Sequence, residues 1–116
     1  MNYIDLRSDT VTKPTQGMLN AMLHAEVGDD VFSEDPTVTR LEKKAAEWFR
    51  MEAGIFCPSG TMTNQIAIKL HTQPGEEVIC DATSHVYNYE GGGIAFNSGA
   101  SVRILNGNRG RFTAKD

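Results

Sequence analysis

Long apolar runs are missing from this chain: no stretch approaches the roughly twenty consecutive apolar residues that a membrane-spanning helix needs. The opening Met1-Asn2-Tyr3-Ile4-Asp5 lacks the charged and apolar regions of a signal peptide, so cytoplasm is the expected compartment. Cysteine is scarce. Two residues, Cys57 and Cys80, with no C-x-x-C, are too few for a disulfide framework, and both are expected as buried thiols within strands. Basic residues are also few, 11 against 15 acidic for a net charge of −4, which argues against a nucleic-acid surface because phosphate backbones are bound by clustered Lys and Arg. The densest basic stretch, Asn108-Arg109-Gly110-Arg111, reads as a solvated turn. Neither G-x-x-x-x-G-K-[ST] nor G-x-G-x-x-G occurs, so the common nucleotide cradles are absent. Asp29-Asp30-Val31-Phe32-Ser33-Glu34 lacks the order of a calcium loop and reads as a solvated acidic loop, and no metal site is expected.

What is present fits one ordinary globular α/β domain. The 116 residues are 40% hydrophobic and 22% charged, and a chain of this size buries roughly two-thirds of the surface its unfolded form exposes. Ile4 to Val11 reads as an extended arm with Arg7, Ser8 and Asp9 at its polar centre. Thr15 then caps a helix with Met18, Leu19, Met22 and Leu23 on one face, closed by Gly28. Asp35 before Pro36 is a cap followed by a first-turn proline. That helix is expected to run to about Met51, with Val38, Leu41, Ala45, Trp48 and Phe49 facing the core. Ile55–Pro58, a helix from Thr61 to His71 and Glu77–Asp81 form an expected β-α-β unit, with Pro74-Gly75 as the turn into its second strand. A short helix over Tyr87–Gly93, a strand from Ser101 to Leu105, a turn at Asn106-Gly107-Asn108 and a helix starting at Thr113 complete the expectation. That last helix is cut short at Asp116, so the sequence reads as the front of a longer protein.

The chemistry concentrates at Pro58-Ser59-Gly60-Thr61. A strand entering a helix through a small-residue corner aims free amides and the positive end of the helix dipole at one spot, which suits an anion. Gly60 allows close approach, and Ser59 and Thr61 add hydroxyl donors. About twenty-four residues on, Asp81-Ala82-Thr83-Ser84-His85 falls where a neighbouring strand of the same sheet ends. Each element alone also has a structural reading, a plain helix start and a hydrogen-bonded packing histidine. Together they fit a ligand with one phosphate and a flat ring on which an imidazole stacks, and pyridoxal phosphate is such a ligand.

The ordered segments Ile4-Asp5-Leu6-Arg7-Ser8-Asp9-Thr10-Val11-Thr12-Lys13-Pro14, Val27-Gly28-Asp29-Asp30-Val31, Glu34-Asp35-Pro36-Thr37-Val38, Pro58-Ser59-Gly60-Thr61-Met62, Ser84-His85 and Tyr89-Glu90 strongly resemble the N-terminal third of low-specificity L-threonine aldolases. The resemblance covers essentially the whole chain. It implies the front of the large domain of an aspartate-aminotransferase-like, fold-type-I enzyme: a mostly parallel sheet with helices on both faces. Residues 1–35 would supply the arm, first helix and acidic loop, and 36–116 the start of the sheet domain. It implies a homotetramer with sites between subunits, cleaving L-threonine or L-allo-threonine to glycine and acetaldehyde with pyridoxal 5′-phosphate. On that resemblance Gly60 and Thr61 hold the phosphate, His85 stacks on the pyridine ring as the catalytic residue, Ser8 binds the substrate carboxylate, and Tyr89 lies near the substrate with Glu90. Family members often carry Tyr-Gly where this chain has Phe32-Ser33. The lysine that holds the cofactor covalently, the aspartate beside the ring nitrogen and the carboxylate-clamping arginines fall beyond this stretch. Lys13, Lys43, Lys44, Lys69 and Lys115 lie outside that lysine's context, so the 116 residues alone are expected to be inactive. Two other readings stay open: a related lyase of the same fold acting on another β-substituted amino acid, and a non-catalytic module that only folds or assembles.

Overall fold

The computed structural model describes residues 4–116, which divide into two compact units, 4–56 and 57–116. In the first unit a 3₁₀ turn, Asp9–Val11, is followed by helices α1 (Gln16–Leu23) and α2 (Pro36–Phe49). The arm is therefore not extended throughout: the Ser8 hydroxyl accepts from the Thr10 amide at 3.2 Å and bends the chain into the turn. Thr15 caps α1 as its sequence position demands, accepting from Met18 N–H.

Helix α1 stops at Leu23, five residues before the expected Gly28, because side chains at the start of α2 take the backbone that would continue it. Thr37 Oγ1 donates to the Glu26 carbonyl at 2.7 Å, and Gly28 N–H donates to Asp35 Oδ2 at 3.1 Å. The other Asp35 oxygen caps α2 by accepting from the Thr37 and Val38 amides, both at 2.9 Å. A Cβ on Gly28 would lie 2.3 Å from the Glu34 carbonyl oxygen, so only glycine fits there. The Gly-Asp-Asp and Glu-Asp-Pro-Thr segments thus close one loop. Within it Ser33 adopts φ 58°, the left-handed region that favours glycine.

Ile55–Pro58 is not a strand. Among the described residues no strand pairs with it, and the Phe56 amide donates instead to the Glu42 carboxylate at 2.7 Å. The apolar stripe of α2 is present but uncovered, with Trp48 74% exposed and Leu41 and Phe49 also exposed. Lys44 lies over the Trp48 ring at 5.1 Å.

The second unit contains α3 (Gly60–His71), β1 (Glu77–Asp81), α4 (His85–Asn88), α5 (Gly93–Ser98) and β2 (Ser101–Leu105). Strands β1 and β2 pair in parallel, from Glu77 opposite Ser101 to Asp81 opposite Leu105, so the class is α/β with a two-stranded parallel sheet. Parallel strands need a crossover, and α4 and α5 provide it. Helix α5 packs on α3 and β2, and the small core holds Ile94, Ala100 and Cys80. Cys57, expected to be buried, is half-buried and outside any strand.

The single helix expected over Tyr87–Gly93 is replaced by α4 and α5, separated by a loop at Gly91 and Gly92 with φ 62° and 71°. The second of these left-handed residues, Gly92, is the N-cap of α5, and two in succession are cheap only for glycine. After β2, Gly107 N–H donates to Asp81 Oδ2 at 2.8 Å and Asn108 pairs with Arg111 across a tight turn, which leaves both arginines exposed. Thr113 begins a turn rather than a helix, its amide donating to Asp116 Oδ2 at 2.6 Å.

Candidate functional site

Helix α3 begins where the corner was expected, although no strand leads into it. Ser59 is its N-cap, its hydroxyl oxygen accepting from Met62 N–H at 3.1 Å. The Gly60 and Thr61 amides belong to the first turn, which has no intrahelical acceptor to offer, and no other partner takes them among the described residues. Both residues are exposed, and the space around a Cβ built on Gly60 is empty out to 4 Å. The Thr61 hydroxyl is likewise unengaged among the described residues, whereas the Ser59 oxygen is committed to the cap. An open groove of ≈ 590 Å³ runs beside this turn, lined by Ser59, Thr61, Met62, Gln65, Ile66 and Asn97 among others.

His85 is the first residue of α4, directly after the Asp81–Ser84 turn that closes β1. That turn is held by Asp81 Oδ1, which accepts from the Thr83 amide at 2.8 Å and hydroxyl at 2.6 Å. The Thr83 hydroxyl, with the Thr83 and Gly107 amides, keeps the Asp81 carboxyl below the usual carboxylate range despite its burial. The His85 imidazole is 65% exposed, and the Tyr89 ring lies beside it at 5.3 Å with a 41° tilt. Tyr89 itself is exposed.

Glu90 connects His85 to α3. Oε1 of this carboxylate accepts from Asn64 Nδ2 at 2.7 Å and from His85 Nδ1 at 2.9 Å, while Oε2 accepts from Gln65 Nε2 at 2.6 Å. Asn64 and Gln65 stand three and four residues beyond Thr61, on the helix face that Thr61 occupies. His85 is thereby brought within one shared carboxylate of the helix that starts at Gly60. Burial pushes the Glu90 carboxyl upward, but the bonds from Asn64, Gln65 and His85 outweigh it and hold the group below the usual carboxylate range.

Ser8 belongs to the first unit, where its hydroxyl caps the 3₁₀ turn and lies 2.8 Å from Thr10 Oγ1. The residues that sequence reasoning passed over are Asn64 and Gln65, and Glu90 was noted without a role. A glutamate followed by three glycines, and two adjacent amides on an otherwise apolar helix face, were the available signals. Among the described residues no group of three His, Cys, Asp or Glu side chains is arranged to hold a metal, and no helix is long and apolar enough to cross a membrane.

A sequence model of the beta-eliminating lyase family matches residues 5–116. The chain is 52% identical over 103 residues to a probable low-specificity L-threonine aldolase 2 of Arabidopsis thaliana, covering 88% of this chain and 29% of that protein. It is 52% identical over 92 residues to the low specificity L-threonine aldolase of Escherichia coli strain K12, covering 79% of this chain and 28% of the relative. Against the low specificity L-threonine aldolase of Saccharomyces cerevisiae it is 50% identical over 99 residues, 84% of this chain and 26% of that enzyme. The chain therefore spans less than a third of the length of these relatives.

Proposed function

The chain belongs to the beta-eliminating lyase family, and from that premise we propose that the whole protein is a pyridoxal-phosphate enzyme cleaving L-threonine or L-allo-threonine to glycine and acetaldehyde. The observation that supports the reading is the junction at Glu90, where one carboxylate oxygen is shared by the exposed His85 imidazole and by Asn64 of the helix whose first-turn amides are free. The donor set suits the cofactor: two amides, a hydroxyl and a helix dipole for a phosphate, and an exposed ring for stacking.

In this reading the Gly60 and Thr61 amides and the Thr61 hydroxyl bind the phosphate, and the His85 face lies against the pyridine ring. When bound, pyridoxal phosphate supplies an electron sink for the pair released as the Cα–Cβ bond breaks. His85 Nε2 carries a lone pair when Nδ1 donates to Glu90, so it can take the β-hydroxyl proton through a water. Tyr89, packed against His85, borders the substrate. A fold-type-I domain working as a homo-oligomer on a small amino acid completes the proposal, with the cofactor-holding lysine outside these 116 residues.

One finding favours a second reading: the matching family is described by β-elimination rather than by aldol cleavage. A related lyase acting on another β-substituted amino acid would bind the same cofactor and release different products. The first test is a titration of the whole protein with pyridoxal phosphate, followed by absorbance. Saturable binding with a shifted cofactor band is expected, and no binding would remove both readings.

A further inference from the structure

Glu90 sits where a carboxylate is costly. Its side chain has no solvent exposure, and an ionised carboxylate without partners does not persist in such a place. It persists because Asn64, Gln65 and His85 converge on its two oxygens. An ionised carboxylate has no proton to give, so in the contact at 2.9 Å His85 Nδ1 is the donor. In the neutral imidazole this leaves Nε2 as the unprotonated nitrogen, on a side chain that is largely exposed.

The carboxylate is fixed in its turn. Gln65 is buried, its Oε1 accepts from Asn97 Nδ2 at 3.3 Å, and Gly93 leaves it the space it occupies. Asn64 and Gln65 rise from the same helix face as Thr61, so the bonds that hold Glu90 refer the imidazole to the start of α3.

We propose that Glu90 is a positioning residue that, anchored by Asn64 and Gln65, fixes the tautomer and ring plane of His85 so that its face and Nε2 are presented to a ligand held by Gly60 and Thr61. The inference rests on the reading of His85 as the residue facing the cofactor. It adds the group that orients that residue and the nitrogen left for chemistry.

The experiment uses the whole protein labelled with ¹⁵N at histidine, with His85 assigned by its loss in His85→Gln, at about pH 9 where imidazoles are neutral. The wild-type His85 proton is expected on Nδ1. In Glu90→Ala it is expected to move toward the Nε2–H form that histidine prefers in water. The same substitution should shift the absorbance of bound pyridoxal phosphate and lower turnover about tenfold, the lower end of the scale seen when hydrogen-bonded partners of metal-ligating histidines are removed. A wild-type proton on Nε2, or a tautomer and cofactor band unchanged in Glu90→Ala, overturns the inference. Should Glu90→Ala fail to fold, the wild-type spectrum decides alone. A wild-type protein that places the proton on Nδ1 but binds no pyridoxal phosphate keeps the Glu90–His85 geometry and rejects the cofactor reading instead.

Discussion

A carboxylate enclosed by donors, as at Glu90 and Asp81, releases its proton more readily in the folded chain than in the unfolded one. The direction of the pH effect follows. Both groups titrate below their ordinary values when folded, so the stability they contribute is fully present above the ordinary carboxylate range near about pH 4 and is lost as pH falls through the lower folded values. Urea midpoints measured from about pH 6 downward should fall on the acid side, and Glu90→Gln should make that fall shallower. An unchanged acid slope would mean that Glu90 has no preferential bonding in the folded state. At the proposed phosphate corner, Thr61→Ala would remove one hydroxyl donor to a charged group. It should weaken pyridoxal-phosphate binding by about 1–3 kcal/mol in a titration, and an unchanged affinity would take Thr61 out of the site. The helix start at the corner was legible because small polar residues before a helical pattern serve as caps. The Glu90 junction was not, since residues 64, 65, 85 and 90 meet only after the loop at Gly91 and Gly92 has placed α5 against α3.

At the scale of elements, caps and strands were the readable part. Thr15 and Asp35 start helices as expected because each side-chain oxygen satisfies an amide that the helix cannot, whereas Ser59, expected as a donor to an anion, is spent on the same capping role for α3. The β1 and β2 boundaries match the apolar runs 77–81 and 101–105. The errors have a common physical origin: whether a segment becomes a strand, a helix end or a loop depends on which distant group takes its backbone. Glu42 takes the Phe56 amide, and Asp35 and Thr37 take the backbone beyond α1. Those pairings leave no trace in local periodicity. The α3–α5 contact gives the sharpest test at this scale, because a Cβ on Gly93 would lie 2.6 Å from the Gln65 amide. Gly93→Ala should destabilise the protein by about 1–3 kcal/mol in urea denaturation and disturb the bonds of Gln65 to Glu90 and Asn97. A variant as stable as the wild type would show that this close approach is not needed.

Across the whole molecule, the exposed apolar side chains fit a chain that covers less than a third of its relatives' length. Trp48 and Phe49, expected on the core face of α2, are exposed, as is Phe96, so an apolar stripe in the sequence did not by itself say what covers it. The functional proposal belongs to this scale, since in it the residues here would supply phosphate and ring contacts and a lysine outside these 116 residues the covalent chemistry. The most direct measurement couples acetaldehyde release by the whole protein, loaded with pyridoxal phosphate, to an alcohol dehydrogenase, with L-threonine, L-allo-threonine and L-serine offered in turn. Acetaldehyde from a threonine isomer, with glycine in equal amount and no acetaldehyde from serine, is the result expected. Cofactor binding without acetaldehyde from either isomer would contradict the account and leave the related lyase in its place.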